Sequence, residues 1–220
     1  MADNSASFIK CYMNKFFKKV FNIIIVFALV LMMNIPSFGF FYFYYPSKDG
    51  SGETIMVTGD SYAGYFATYE SGKDYNIIIF AEAAKSTKEN YEVMKTAIKA
   101  PPNIIIISIG VNDCNKHVTL EDFKNRMEEL VSECKSMNKK VILHTYMDYD
   151  MDAFGDSKHV FVPSDYDNIL KNVAQKYKNA FYIDMSDYNN KIFLQPDLIH
   201  YNKVFYDILY DRISTALMLF

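Results

Sequence analysis

The sequence contains, at residues 54–61, the stretch Thr54-Ile-Met-Val-Thr-Gly-Asp-Ser61, in which a short apolar run ends at a glycine that permits a tight turn. Four more apolar runs follow it, at residues 76–80, 103–109, 140–146 and 180–184. Their apolar residues are consecutive and do not alternate with polar ones, which is typical of strands buried on both faces of a parallel sheet. The five runs therefore predict a five-stranded parallel sheet.

Helical patterns lie between these runs. A capping-box signature, Ser86-x-x-Glu89, marks one helix start, and similar signals begin at Thr119 and Ser164. A last apolar stripe at helical spacing comprises Phe205, Ile208, Leu209, Ile213 and Ala216. The alternation of strands and helices, with right-handed crossovers, predicts a three-layer α/β/α sandwich whose ligands bind beyond the carboxyl ends of the strands.

The composition excludes several classes of protein. Half of the 220 residues are hydrophobic and 22% are charged, which is too apolar for an intrinsically disordered chain. The formal net charge of −3 leaves no overall basic surface for nucleic acid. Three cysteines are too few for a disulfide scaffold.

The N-terminal segment, residues 1–45, predicts a signal anchor or a signal peptide. An apolar run at residues 20–33, interrupted only by Asn22, follows the lysines Lys10, Lys15, Lys18 and Lys19. This order of charges places the N-terminus inside and the rest of the chain outside the cytoplasm. A buried N-terminal helix of a cytosolic domain is the alternative.

Two interpretations of the exported form compete. Pro36 would end the helix of a signal peptide, and Ser37-x-Gly39 offers small residues for cleavage. Alternatively, one apolar helix covers about residues 20–45 and crosses the membrane. The sequence favours the anchor, because a mature chain that begins with the aromatic residues 40–45 would be poorly soluble. Residues 46–53 then form a flexible linker, and residues 54–220 form the globular domain.

Polar residues that suit serine catalysis follow three of the predicted strands. Ser61 falls at the start of a helix after strand one, where its hydroxyl is exposed and its N–H points toward an oxyanion. Asn112 follows strand three, and its amide can donate to the same oxyanion. After strand five, Asp197-x-x-His200 can face one way from a helix start, so that Asp197 orients the ring and His200 takes the serine proton.

In the order of its strands and of these motifs, the chain resembles the SGNH hydrolases, also called the GDSL lipases or esterases, over the whole of residues 54–220. Gly59-Asp60-Ser61 is similar to the first block of that family, Gly110-x-Asn112-Asp113 to the third, and Asp197-x-x-His200 to the fifth. The resemblance implies a flavodoxin-like sheet, Ser61 as nucleophile, His200 as base and acid, and Asp197 as its partner. It also implies an oxyanion hole made by Asn112 and the Ser61 N–H, and neither a metal nor an organic cofactor.

Two departures from the family pattern stand out. Tyr62 replaces the leucine of the first block, which we expect to matter little because the side chain packs beside the site. The second block of the family has a glycine whose N–H is an oxyanion donor, whereas residues 81–87 contain none. Ala84 or Lys85 can replace it if the required φ is negative, and we choose Ala84. If neither N–H points inward, the hole has one donor fewer.

Other polar residues invite weaker interpretations. Asp148, Asp150, Asp152 and Asp156 are expected to form a solvated acidic loop, because Ala153 stands where a calcium loop needs glycine. We expect His144 to be a core or edge histidine and Asp60 and Asp113 to be hydrogen-bonding residues. Cys114 is expected to be a small buried hydrophobe, with a disulfide to Cys134 as an open alternative.

Three functions fit the sequence. The first is a serine esterase outside the membrane that acts on short-chain or O-acetyl esters, such as those of acetylated envelope polysaccharide. The second is an acyltransferase that uses the same triad and excludes water from the acyl-enzyme. The third is a catalytically inactive surface-binding domain on the same fold, which the missing second-block glycine supports.

Overall fold

A mixed six-stranded sheet lies at the centre of the computed structural model, which describes residues 40–144, 163–188, 191–197 and 199–219. The strands are β1 (Phe40–Tyr45), β2 (Thr54–Gly59), β3 (Asn76–Glu82), β4 (Ile104–Ser108), β5 (Lys140–His144) and β6 (Ala180–Ile183). The helices are α1 (Ser61–Glu70), α2 (Thr87–Lys99), α3 (Val111–Asn115), α4 (Leu120–Ser136), α5 (Pro163–Lys176) and α6 (Lys203–Leu219). Short 3₁₀ turns at Ser186–Tyr188 and Lys191–Phe193 precede α6.

The five predicted strands are all present and parallel to one another. Their order in the sheet is β3-β2-β4-β5-β6, which is the flavodoxin-like order that the resemblance implies. The central strands are buried on both faces, as their continuous apolar runs predict, and Ile55, Val57 and Ile105 have no exposed surface. The fourth run is described as a strand as far as His144, and its last two predicted residues, 145–146, lie outside the described part of the chain.

The predicted N-terminal helix is wrong over its last six residues. Residues 40–45 form β1, which adds a sixth, antiparallel strand beside β3, with Phe43 opposite Ile79 and Tyr45 opposite Ile77. Aromatic side chains favour the pleated, half-buried surface of a strand, and the edge of β3 supplies the pairing partner. The remainder of the predicted helix, residues 20–39, lies outside the described residues. Among the helices that the structure does describe, none is long and apolar enough to span a bilayer.

The predicted flexible linker at residues 46–53 is instead a turn held by hydrogen bonds. Buried Ser47 donates its N–H to Oδ1 of Asn76 at 2.9 Å, and Gly52 donates its N–H to the Ser47 hydroxyl at 3.0 Å. The N–H of Lys48 also reaches the carbonyl of Lys73 at 2.8 Å. These bonds join β1 and the turn to the sheet, so the folded unit begins before residue 54.

Helices cover the sheet in two groups. α1 packs against α6, and α4 packs against both α2 and α5. The capping box predicted at Ser86 is present, and the side chain of Thr119 caps α4. Buried residues of α4 and α6, among them Phe123, Leu130 and Phe205, complete the core. In this arrangement, the loops that carry the predicted site residues lie at the carboxyl ends of β2 and β4.

Candidate active site

Ser61 is placed by a tight passage from β2 into α1. Gly59 has a φ of 139°, and a Cβ there would lie 1.9 Å from the carbonyl oxygen of Ser108, so glycine is required at this position. The side chain of Asn90 on α2 donates to the carbonyl of Gly59. Asp60 caps α1 by accepting the N–H of Tyr62 at 3.0 Å. Ser61 is therefore the first residue of the helix, as the sequence predicts.

His200 lies within hydrogen-bond distance of Ser61, although 139 residues separate them in the chain. The distance from Nε2 of His200 to Oγ of Ser61 is 3.0 Å. On the other side of the ring, Nδ1 of His200 lies 2.7 Å from Oδ2 of Asp197. The structure thus brings together the three residues that the sequence proposes as a triad.

Asp197 and His200 lie in a turn that precedes α6, and not at the start of a helix as expected. The second oxygen of Asp197 accepts the backbone N–H groups of Ile199 and His200, each at 3.0 Å, and this holds the turn closed. Burial acts to raise the pKa of Asp197, but the hydrogen bonds from the His200 ring and from the two N–H groups outweigh it. The pKa of Asp197 therefore lies below its ordinary value, so the carboxylate stays ionised beside the imidazole.

Tyr62 has a larger part in this geometry than the sequence suggests. It is 1% exposed, and its hydroxyl donates to the carbonyl of Ile199 at 2.6 Å. This bond joins α1 to the turn that carries His200. The ring of Tyr65 also packs at 4.7 Å from the His200 ring. The side chain packs beside the site as expected, and its bond to residue 199 is a contact that the sequence did not predict, because only the fold brings the hydroxyl there.

Asn112 lies on α3, directly after β4, and contacts the residue before Ser61. Its Nδ2 donates to Oδ2 of Asp60 at 3.0 Å. Complete burial raises the pKa of Asp60 to about 8, although the hydrogen bonds from Tyr62 and Asn112 act to lower it. An amide nitrogen carries two N–H donors, and the contact with Asp60 orients this amide through one of them.

Asp113 is a structural partner of α2. Its carboxylate accepts the backbone N–H and the hydroxyl of Thr87, the first residue of that helix. Burial raises the pKa of Asp113 to about 7, and the hydrogen bonds from Thr87 oppose this rise. Asp60 and Asp113 are thus hydrogen-bonding residues, as expected from the sequence.

Ala84 does not meet the condition set for it as an oxyanion donor. Its φ is 58°, in the left-handed region, and the expectation required a negative φ. The residue is exposed, and its carbonyl accepts a hydrogen bond from Nζ of Lys116 at 2.7 Å. Ala84 therefore occupies the backbone conformation that glycine adopts most easily. Its assignment as a donor stays a prediction.

A cavity of about 410 Å³ opens beside the Ser61 hydroxyl and the His200 ring. Phe43 and Tyr45 of β1 and Ile79 of β3 contribute to its lining, together with residues of α1. Residues 43 and 45 were predicted to lie in an apolar helix and not to line a site. Their alternate positions in an aromatic run are the signal that indicates one face of a strand.

His144, Cys114 and Cys134, which were also singled out from the sequence, do not line this cavity. Nε2 of His144 is 3.0 Å from Oγ of Ser108, and the His144 side chain is buried. Cys114 and Cys134 are both buried and neither forms a disulfide, so the alternative of a disulfide between them is wrong. The acidic residues at positions 148–156 lie outside the described residues.

Comparison with known proteins identifies the family. The sequence model of the GDSL-like lipase/acylhydrolase family matches residues 49–208. The chain belongs to this family. As a GDSL-type, or SGNH, hydrolase it is an ester hydrolase. No curated protein matches the sequence.

Solved structures share the GDSL hydrolase fold. The acetylxylan esterase Axe2 from Geobacillus stearothermophilus is 20% identical with a TM-score of 0.57, over 74% of this chain and 93% of that one. A lipase/acylhydrolase from Enterococcus faecalis is 19% identical with a TM-score of 0.60, over 75% and 95% of the two chains. The enzyme LAE5 from the metagenome of Lake Arreo is 14% identical with a TM-score of 0.59, over 78% and 96%.

Proposed function

We propose that this GDSL hydrolase cleaves carboxylic esters through an acyl-enzyme on Ser61, with His200 as general base and acid and Asp197 as its orienting partner. The observation that carries the proposal is the continuous hydrogen-bonded series from Asp197 through His200 to Ser61, with distances of 2.7 and 3.0 Å. A serine hydroxyl is a weak nucleophile at neutral pH and needs such a base.

In the first half of the reaction, Oγ of Ser61 attacks the ester carbonyl carbon while Nε2 of His200 takes the hydroxyl proton. The carbonyl oxygen becomes an oxyanion in the tetrahedral intermediate. When the C–O bond to the alcohol breaks, His200 returns the proton to the departing alkoxide. Asp197 accepts the Nδ1–H throughout, which fixes the tautomer and stabilises the charged ring.

In the second half, water replaces the alcohol. His200 removes a proton from this water as its oxygen attacks the acyl carbon, and a second tetrahedral intermediate forms. Its collapse releases the carboxylic acid, and the proton on His200 returns to Oγ of Ser61. Hydrolysis of one ester thus consumes one water and restores the enzyme.

The proposed oxyanion donors are the N–H of Ser61, the amide of Asn112 and the N–H of Ala84. The position of Ser61 at the first turn of α1 supports its N–H, since the first N–H groups of a helix have no partner within the helix. The contact of Asn112 with Asp60 supports a fixed orientation of that amide. Loss of one such donor costs about 10²- to 10³-fold in kcat in other hydrolases.

For the substrate, we propose a short-chain or O-acetyl ester, such as acetylated polysaccharide of the cell envelope. The likeness in fold to an acetylxylan esterase supports an acetylated carbohydrate. The lysines before the apolar run at residues 20–33 support a location outside the cytoplasmic membrane. The solubility argument for an anchor loses its basis, because residues 40–45 pair with β3 and are not a free aromatic terminus.

The test is hydrolysis of p-nitrophenyl acetate by the full chain, by Ser61→Ala and by His200→Ala, with Ser136→Ala as a control at an exposed serine on α4. We expect both triad variants to lose at least 10³-fold in kcat, and the control to match the wild type. Equal rates in all four proteins would overturn the proposal and favour the inactive binding domain. Acyl transfer to an added sugar in preference to water would identify the acyltransferase.

A further inference from the structure

The direction of β1 brings the N-terminal part of the chain to the active-site edge of the sheet. β1 runs antiparallel to β3, and its first residue, Phe40, lies opposite Glu82, the last residue of β3. Ser61 follows the carboxyl end of β2, which is parallel to β3 and beside it. The segment that precedes Phe40 therefore joins the domain on the side where the triad lies.

The connection from the apolar run at residues 20–33 to this edge is short. An extended chain spans at most about 3.6 Å per residue, so Phe40 lies within about 25 Å of Met33. When a bilayer holds the run, as in the anchor interpretation, the same limit applies between the active-site edge and the membrane. A connection at the opposite edge of the sheet would instead direct Ser61 away from the membrane.

Exposed apolar side chains lie at the same edge. Val204, in the first turn of α6, is 55% exposed, and Ile192, in the preceding 3₁₀ turn, is 70% exposed. Asn202 joins the two segments, because its Nδ2 donates to the carbonyl of Ile192 and its N–H to the carbonyl of Phe193, each at 2.7 Å. His200 belongs to the turn between them, so Ile192 and Val204 flank the proposed base.

The charges next to Val204 neutralise one another. Nζ of Lys203 lies 2.6 Å from Oδ1 of Asp207, and Nζ of Lys73 lies 2.9 Å from the same oxygen. Both lysines thus face a carboxylate of this chain. A contact of this edge with a membrane is therefore expected to depend on burial of apolar side chains and not on attraction to anionic headgroups.

The opposite end of α6 is also apolar. Met218 and Leu219 are more exposed than Val204, and Leu219 lies about 22 Å from Val204 along the helix. Exposure alone does not select one of the two edges for contact with a membrane. The position of Phe40 does, because the N-terminal segment enters at the edge that carries His200.

We propose that the edge carrying His200 contacts the bilayer that holds the N-terminal segment, with Ile192 and Val204 inserted among the lipids. The proposal rests on the proposed location outside the cytoplasmic membrane and on the esterase function of Ser61. It narrows the substrate to short-chain or O-acetyl esters of molecules that are themselves held at the membrane, such as an acetylated saccharide attached to a lipid. Ser61 lies on the docked edge and meets such esters first.

A single tryptophan tests the contact directly, because the sequence contains no other tryptophan. The full chain with Val204→Trp is reconstituted into phosphatidylcholine vesicles, and quenching of its fluorescence by lipids with brominated acyl chains is measured. Leu219→Trp places the same reporter at the far end of α6. We expect quenching at residue 204 to be at least about three-fold stronger than at residue 219, as for side chains buried at the headgroup boundary.

Four outcomes would overturn the proposal. The first is equal quenching at both positions, or none at either. The second is shielding of residue 204 from solvent without quenching by lipid, which would place a protein partner on this edge. The third is quenching that requires anionic lipid and disappears at high salt, which would indicate an electrostatic contact. The fourth is a mature chain that begins at Phe40.

A second experiment asks whether the contact serves catalysis. The substrate is a dialkyl-acetylglycerol in the same vesicles, whose acetate is its only ester. Full burial of one aliphatic side chain is worth roughly ten-fold in binding, so Ile192→Ser/Val204→Ser should lower kcat/KM for this lipid at least about ten-fold. Met218→Ser/Leu219→Ser is the matched control and should keep the wild-type value.

Dissolved p-nitrophenyl acetate checks that the site is intact. Ile192→Ser/Val204→Ser should hydrolyse it at the wild-type rate, because neither side chain lines the cavity beside Ser61. An equal fall for the dissolved and the lipid-borne ester, or no fall for either, would overturn the proposal.

The double variant Ser61→Ala/Val204→Trp separates the membrane contact from the proposed function. The contact needs no turnover, so we expect the quenching measured in Val204→Trp. If wild type and Ser61→Ala hydrolyse p-nitrophenyl acetate equally while residue 204 is quenched, the proposed function fails and the contact stands. Hydrolysis that depends on Ser61, together with an unquenched residue 204, would overturn the contact alone.

Discussion

Asn112 donates a hydrogen bond of 3.0 Å to the carboxyl of Asp60, the residue that immediately precedes Ser61. The contact joins the segments that follow β2 and β4, which are neighbours in the sheet, although 52 residues separate Asp60 from Asn112 in the chain. The same carboxyl caps α1 through the N–H of Tyr62. One buried side chain therefore fixes both the helix that begins at Ser61 and the amide proposed as an oxyanion donor.

Replacement of Asp60 by asparagine should slow the reaction without preventing folding. In Asp60→Asn one oxygen can still cap α1, but an amide nitrogen then faces the amide of Asn112, which must turn away. We expect kcat to fall by about 10- to 100-fold, less than for direct loss of an oxyanion donor, with KM changed much less. Steady-state kinetics test this, with Asp122→Asn on the exposed surface of α4 as control. A change in KM with an unaltered kcat would contradict this prediction.

The buried carboxyl of Asp60 should also make the stability of the fold depend on pH. Its pKa is about 8 in the fold, against an ordinary value of 3.8. Between these values the folded state holds a proton that the unfolded chain has released, so the free energy of unfolding falls as pH rises from about 4 to about 8. Asp113, with a pKa of about 7, acts in the same direction.

Asparagine cannot ionise, so Asp60→Asn should gain stability relative to the wild type as pH rises. Urea denaturation of both proteins at pH 5 and pH 8 measures the difference. The dependence of the free energy of unfolding on pH that remains in Asp60→Asn reflects the titration of Asp113, and the further substitution Asp113→Asn should reduce it. A difference between the two proteins that is the same at both pH values would show that Asp60 is ionised throughout.

The hydroxyl of Tyr62 should matter for both stability and rate. Tyr62→Phe leaves the carbonyl of Ile199 without this donor and loosens the turn that holds His200. We expect a loss of about 1–2 kcal/mol in the free energy of unfolding and a several-fold lower kcat. Tyr210→Phe is the matched control, because its hydroxyl accepts the N–H of Asp74 away from the site. It should lose stability but keep kcat, and an equal loss of kcat in both variants would contradict the prediction.

The two alanines that follow β3 should respond oppositely to glycine. Ala84 has a φ of 58°, a conformation that is strained for alanine by about 1 kcal/mol, whereas Ala83 is not among the residues with positive φ. Ala84→Gly should therefore raise the free energy of unfolding by about 0.5–1 kcal/mol and Ala83→Gly should lower it. Denaturant unfolding measures both. Destabilisation by Ala84→Gly would show that its side chain makes a contact that outweighs the strain.

Local patterns in the sequence predict the parallel strands and the residues around Ser61. The apolar runs that end at Gly59 and at Ile109 are continuous, which by itself predicts buried strands. The residues after these strands meet because the carboxyl ends of parallel strands lie at the same edge of the sheet. The position of Asp197 relative to His200 follows from a spacing of three residues. These features need little knowledge of the rest of the chain.

Features that depend on distant partners were not predictable in this way. Residues 40–45 are as apolar as a helix that spans a membrane, and only pairing with β3 makes them a strand. The left-handed conformation of Ala84 accompanies a contact with Lys116, 32 residues away. The cavity likewise exists only where β1 lies opposite Gly64, so neither segment alone reveals it.

β1 also covers the hydrogen-bonding edge of β3. Without it, Ile77, Ile78, Ile79 and Phe80 would form a long apolar edge with unpaired N–H and carbonyl groups, the kind of template on which chains aggregate. Recombinant chains that start at Pro46 would expose this edge, whereas proteolysis after Gly39 would leave β1 paired with β3. The shortest version of this protein that remains monodisperse is therefore expected to begin at Phe40.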